Sequence, residues 1–336
     1  MMSERGHAQW RTLNESALAW LAAYTGIHIW WAIGDAPQFL RGRESYFPGG
    51  WVPVVLGVFA VLACLCVAVA GESESATTHY LLAGLTGLAG AAVCVYSFLF
   101  PVIVASLLFE GVATGSVASL LATGSGAAAG VLCVITAASQ RRSAARACDA
   151  CGRIHGRSPE SRADQAPRWA FVGAYLAVAG FAARISVWLA DTIAGRWQAS
   201  VETSDVSWPA MITFVALMSV AGTVLPLALV HRWGRIWPAW TGPLRGRHVP
   251  RWLVLGTGLF MGASLTAYFG IAGMIAWILG EFGGSFVPLM LEMGGYTIWG
   301  VGLLVSATSY FALTRPPCPL TVHVHAQDRA DQFADR

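Results

Sequence analysis

The sequence predicts an all-α protein, a polytopic transmembrane helix bundle of about eight helices. Three observations predict it. First, 56% of the 336 residues are hydrophobic and only 12% are charged, with a mean hydropathy of +0.57. A typical soluble domain carries about 25% charged residues, and this chain has too few to cover its apolar surface in water. Second, the apolar residues gather into runs of the roughly 20 residues that a spanning helix needs. Third, the 15 Trp suit a chain with two membrane–water interfaces, where indole rings concentrate. Helices are the form to expect, because lipid cannot satisfy an open sheet edge. The alternating pattern of a membrane barrel is absent.

In chain order the runs are 16–34, 51–70, 80–108, 115–138, 169–190, 209–230, 252–280 and 286–314. The first has no A-x-A-like cleavage site after it and reads as a retained helix rather than a signal peptide. These runs divide the chain into a first four-helix half (1–138), an Arg-rich loop containing a C-x2-C pair (139–168), a second four-helix half (169–315) and a polar tail (316–336) expected to be disordered. The third and seventh runs are each 29 residues long. A helix of that length rises about 43 Å against a hydrocarbon core of about 30 Å, so both must tilt, bend or protrude. Pro101 and Gly273 are the expected kinks.

The same two runs share a pattern. Gly84, Gly90 and Tyr96 recur as Gly256, Gly262 and Tyr268 at a constant offset of 172. Two parallel four-helix repeats are one reading, since an even number of crossings restores orientation. Chance matching in a chain with 37 glycines is the other. Gly126-x3-Gly130 and Gly258-x3-Gly262 have the small-xxx-small spacing that lets helix backbones approach closely.

Arginine supplies all of the positive side-chain charge, because the chain contains no Lys. The 139–168 loop carries seven Arg and the 231–251 loop five, while the connectors of opposite sidedness carry only Arg41, Arg43 and Arg196. The positive-inside rule therefore puts both Arg-rich loops and both termini in the cytoplasm of a bacterial inner membrane. There is no basic stripe of the kind that nucleic acid requires. The outer connectors 35–50 and 191–208 are polar with aromatic interruptions, and read either as exposed links or as caps on the bundle.

Ionisable groups inside hydrocarbon are costly and usually face the protein interior. His28, Arg184 and Glu292 all fall about six residues from the outer end of a run, roughly 9 Å deep at 1.5 Å per residue. Glu292 is the only carboxylate well inside a run, which makes it the expected partner of Arg184. His28 adds a group that titrates near neutral pH. The three form either an outward-facing pocket for a substrate or proton, or an ion pair that locks two helices beside an unrelated His. Asp35, Glu110, Asp191 and Glu281 sit near outer helix ends and would rim such a pocket, coordinate a cation, or stand solvated.

On the Arg-rich side lies Cys148-Asp-Ala-Cys151-Gly-Arg-Ile-His155. A C-x2-C pair followed by Gly is the shape in which two thiolates grip one zinc from a tight turn. His155 is the third expected ligand, and Cys318, His323, His325 or another subunit would supply a fourth. A reversible dithiol and a plain loop with reduced thiols are the other readings. The remaining cysteines, Cys64, Cys66, Cys94 and Cys133, lie in apolar runs and behave as small hydrophobes.

The segments AYTGIHIWWAIGD and GGWVP, with HRWGRIWPAW and GRHVPRWL further on, resemble an actinobacterial family of uncharacterised multi-pass membrane proteins. The resemblance covers most of the chain. It implies a helical fold and a membrane location, and no activity or site residues.

The functional expectation is a protein in contact with the lipid bilayer that binds or transports a small or lipophilic molecule through an outward-facing polar pocket. The alternatives are a membrane-embedded enzyme acting on a lipid-like substrate, with His28 as general acid or base beside Glu292, and a non-catalytic assembly partner that docks through its Cys loop. A phosphate-binding loop with Lys is excluded, and neither H-E-x-x-H nor G-x-S-x-G occurs.

Overall fold

The computed structural model describes residues 4–34, 50–70, 75–97, 116–145, 147–148, 151, 164–195, 208–280, 286–316 and 318. Its long helices, in order, are α1 (Glu4–Ile33), α2 (Val52–Ala70), α3 (Ala76–Ser97), α4 (Ser116–Ala144) and α5 (Arg168–Ile193). α6 runs through Trp208–Ser219, a π-helical segment Val220–Val224, and Leu225–Val230. α7 is likewise composite: Arg251–Leu265, a π-helical segment Thr266–Ala272, then Gly273–Ile278. α8 is Phe286–Leu313. Among the described residues there is no β-strand, only an isolated bridge between Ile236 and His248. The fold is an all-α bundle.

Among the described residues six helices are long and apolar enough to cross a membrane: α2, α3, α4 from Leu120, α5, α7 and α8 from Met290. α1 is long enough at 30 residues but carries Arg11, Asn14, Glu15 and His28. The stretch Val215–Val230 of α6 is a shorter apolar helix.

The distribution of residue sizes is that of a protein dissolved in lipid. The buried face of α2 is Pro53, Val54, Gly57, Ala60, Ala63, Cys64 and Val67, mostly small side chains. Its larger residues Val55, Leu62, Leu65 and Val69 point outward. α5 repeats this, burying Ala170, Gly173, Ala174, Ala177 and Gly180 while exposing Val172, Tyr175 and Leu176. In lipid an exposed Leu loses nothing, and close packing of small residues is what holds helices together. Exposed tryptophans mark the two ends of the bundle. Trp30 and Trp51 flank the first connector, and Trp169, Trp240 and Trp252 lie at the opposite end, the arrangement expected of interfacial belts.

The helices form two groups, each with its own core. α1–α4 close a ring in which α4 returns to α1, around Leu21, Tyr24, Val93 and Cys133. α5–α8 do the same, around Phe181, Leu229, Leu255, Trp299 and Tyr310. The third and fourth helices of each group meet through the same contact. A Cβ on Gly90 would lie 2.8 Å from the Gly130 carbonyl oxygen, and one on Gly130 would lie 2.8 Å from the Cys94 amide nitrogen. In the second group a Cβ on Gly262 would lie 3.0 Å from the Gly300 carbonyl oxygen, and one on Gly300 would lie 2.7 Å from the Thr266 amide nitrogen. Gly90 and Cys94 map onto Gly262 and Thr266 at the offset of 172 read in the sequence.

The Arg-rich segments gather at one end. Arg235 is buried, its guanidinium donating to the Asp164 carbonyl at 2.6 Å, and burial pushes its pKa below the usual arginine value. The Tyr310 hydroxyl donates to the Gly234 carbonyl at 2.9 Å. A Cβ on Gly234 would run into the Ala228 backbone, so only glycine lets the chain turn back there. Backbone bonds from Trp237 to Arg247 and from Val249 to Arg235 fold the 231–250 connector into a compact hairpin.

Candidate functional site

Polar and cavity-forming features of the described membrane-spanning helices meet around α8. Arg184 Nη2 lies 3.2 Å from Glu292 Oε1, joining α5 to α8. The side chains are 21% and 37% exposed respectively, so the pair is neither solvated nor sealed. Its geometry follows from glycine. A Cβ on Gly180 would lie 2.6 Å from both the Gly295 carbonyl oxygen and the Trp299 amide nitrogen. The two backbones touch about one helical turn from the pair, which holds the ends of two long side chains within reach. The Arg184 guanidinium also lies 5.3 Å from the centre of the Tyr296 ring, close enough for cation–π attraction. Among the described residues its Nε is buried without a hydrogen-bond partner.

Tyr296 continues an aromatic layer. It stacks on Phe269 with centroids 3.9 Å apart, and Trp299 meets Phe181 edge-on at 5.1 Å. Phe269 belongs to the π segment of α7. A π turn widens the helix and often marks a functional position.

Beyond Phe269 a cleft of about 150 Å³ opens between α7 and α8. Phe269, Gly273, Met274 and Trp277 form one wall, and Met290, Met293, Gly294, Thr297 and Ile298 the other. Met274, Trp277 and Ile298 are among the exposed apolar residues, so the cleft opens on the lipid-facing flank. The cleft and the ion pair occupy different faces of α8. Met290, Met293, Gly294 and Thr297 turn toward the cleft, whereas Glu292 and Gly295 turn toward α5.

His28 stands elsewhere. Its ring packs on Tyr24 at 4.3 Å and on Trp31 at 5.0 Å, and α1 packs mainly on α2 and α4. Asp191 lies in the last turn of α5. Asp35, Glu110 and Glu281 lie outside the described residues. The structure thus brings Arg184 and Glu292 together, and puts His28 in the other helix group. Sequence reasoning missed the cleft, because neither the π segment nor the facing glycine and methionine residues form a motif.

At the Arg-rich end, the Sγ atoms of Cys148, Cys151 and Cys318 lie within 4.8 Å of one another. Cys148 and Cys318 are 3.9 Å apart, and none of the three is in a disulfide. The cluster is able to hold a metal ion. His155, His323 and His325 lie outside the described residues.

No family model, curated protein or solved structure matches this chain. The six apolar helices and their lipid-facing surfaces define the class: a multi-pass helical membrane protein.

Proposed function

We propose that this protein binds a small lipophilic molecule in the cleft between α7 and α8, which the ligand enters sideways from the bilayer. The cleft itself carries the reading. An apolar cavity of about 150 Å³ stays dry and takes a ring-sized or short-chain apolar group. Methionines 290 and 293 give its wall an adaptable, polarisable surface, and the opening faces acyl chains rather than water. The Arg184–Glu292 pair, on the other face of α8, fixes the wall to α5.

The test is photolabelling in vesicles of a phospholipid that carries a diazirine in its acyl chain. Labels are expected to concentrate on residues 290–298. Gly294 offers a clean block, because among the described residues a Cβ there meets nothing within 4 Å. Gly294→Phe is expected to fill the cleft, keep the fold and cut that labelling at least tenfold. Even labelling of lipid-facing positions such as Leu62 and Val172, unchanged by Gly294→Phe, would sink the proposal.

We further propose that the protein resides in a bacterial inner membrane, with both termini and the two Arg-rich connectors in the cytoplasm, and that its two helix groups are parallel repeats. Arg asymmetry supports the orientation, and the matching Gly90–Gly130 and Gly262–Gly300 contacts support the repeat. Cysteine introduced at Ser45 or Ser200 is expected to react with an impermeant thiol reagent in intact cells, while Cys148 does not. Labelling of Cys148 from outside would reverse the topology.

A further inference from the structure

We infer that Cys148, Cys151 and Cys318 form a three-thiolate site for zinc that staples the connector between the two helix groups to the segment leaving α8. The inference is independent of the lipid cleft.

The donor set and its spacing carry it. Zinc–thiolate bonds are about 2.3 Å long, so two thiolates on a tetrahedral ion sit about 3.8 Å apart. Cys148 and Cys318 stand at 3.9 Å, and all three sulfurs fall within 4.8 Å. A disulfide would need about 2.05 Å. Soft thiolates select zinc or another soft ion over magnesium or calcium. Cys151 is half-buried and Cys318 is buried at 2% exposure, so the third thiol is carried into the protein rather than left on a free tail. Three thiolates around a dication leave a net negative charge, and this end of the bundle supplies Arg141, Arg142 and Arg315. If the proposed orientation holds, the compartment is also one that keeps thiols reduced.

The site has a structural consequence. Cys148 and Cys151 follow α4, the last helix of the first group, and Cys318 follows α8, the last helix of the second. The main described contact between the groups is α3 against the π segment of α7. A metal held by both chain segments would tie the two groups together in addition to that contact.

The experiment uses the full chain purified in detergent without added metal or chelator. Elemental analysis is expected to find about one zinc per chain, and a mercurial thiol reagent is expected to release it. Cobalt(II) exchanged into the site should give the near-ultraviolet sulfur-to-metal charge-transfer band, and Cys318→Ser should lower that band by about one third. Cys318→Ser should also weaken zinc retention more than tenfold, while Cys66→Ser, which alters an exposed thiol on α2, leaves both unchanged. Metal-free protein whose three thiols titrate freely would overturn the inference. So would a disulfide among them, seen as a mass lower by two hydrogens. A cobalt band unaffected by Cys318→Ser would remove Cys318 from the site. Should that variant fail to fold, the zinc content and mercurial release of the unaltered chain still decide the matter.

Discussion

Gly180→Ala is expected to lower the thermal unfolding midpoint of the detergent-solubilised protein, while Gly84→Ala leaves it unchanged or raises it. The chemical change is the same at both positions, an added methyl group in a helix. In isolation Ala is favoured over Gly in a helix by about 0.8–1 kcal/mol. At Gly84 that preference acts alone, because among the described residues a Cβ meets nothing within 4 Å. At Gly180 the Cβ lies 2.6 Å from two backbone atoms of α8. Backbone cannot rotate away as a side-chain tip can, so the helices must separate. Overpacking of this kind costs about 1–3 kcal/mol, occasionally more, and outweighs the propensity gain. Separation would also lengthen the Arg184–Glu292 bridge about one turn away. Gly302→Ala should behave like Gly180→Ala, since its Cβ would strike the Gly173 carbonyl. Shifts of the same sign and size at Gly84 and Gly180 would mean that α5 and α8 do not meet through glycine.

How much of this was legible in the sequence depends on what each feature's signal measures. Hydropathy measures the length of chain that prefers lipid. It located the helices but not their ends. α4 runs to Ala144, six residues past its apolar run, because Ser139, Gln140, Arg141 and Arg142 continue the helix beyond the apolar zone. α1 begins at Glu4, far ahead of its apolar run, for the same reason. The spacing of Gly126, Gly130, Gly258 and Gly262 marked real contacts: Gly130 and Gly262 touch neighbouring backbone, and Gly258 meets Leu229. The α5–α8 interface was passed over because its glycines are seven apart, Gly173 and Gly180 facing Gly302 and Gly295. That is a heptad rather than a four-residue repeat, and a search at seven would have found it on both helices.

The site was legible only where charge is conspicuous. An Arg and a Glu inside hydrocarbon have few ways to be satisfied, so Arg184 and Glu292 could be paired by elimination. His28 has no such obligation: a neutral imidazole needs only ring contacts and hydrogen bonds, and Tyr24 and Trp31 provide the former. A similar distance from the ends of their apolar runs did not mean proximity. The cleft left no sequence signal: it lies beside a π turn at Thr266–Ala272, a change of hydrogen-bond register that composition does not encode. Gly273, read as a kink, instead follows directly on that turn, with the Met293 sulfur 3.1 Å from where its Cβ would be.

Removing either member of the intramembrane ion pair is expected to destabilise the protein more than removing both. In Glu292→Gln the Arg184 guanidinium keeps its charge and loses the carboxylate 3.2 Å away; Arg184→Gln strands the carboxylate in the same way. An exposed pair contributes about 0–1 kcal/mol, whereas breaking a fully buried one costs about 3–5 kcal/mol. At 21% and 37% exposure the pair belongs between these limits. The Tyr296 ring retains some hold on Arg184 through cation–π attraction, so Glu292→Gln should be the milder single change. The double variant buries no unpaired charge and should recover part of the loss, giving a coupling of about 1 kcal/mol or more in a double-mutant cycle. Additive effects would mean that the two side chains do not meet. The cycle also separates clamp from ligand site when diazirine–phospholipid labelling is read on the same proteins. If the pair only fastens α8 to α5, the double variant labels residues 290–298 as the unaltered chain does, because the cleft lies on the other face. If labelling disappears while the double variant remains folded, the charges take part in holding the ligand, and the binding site extends through the Tyr296–Phe269 stack to both faces of α8.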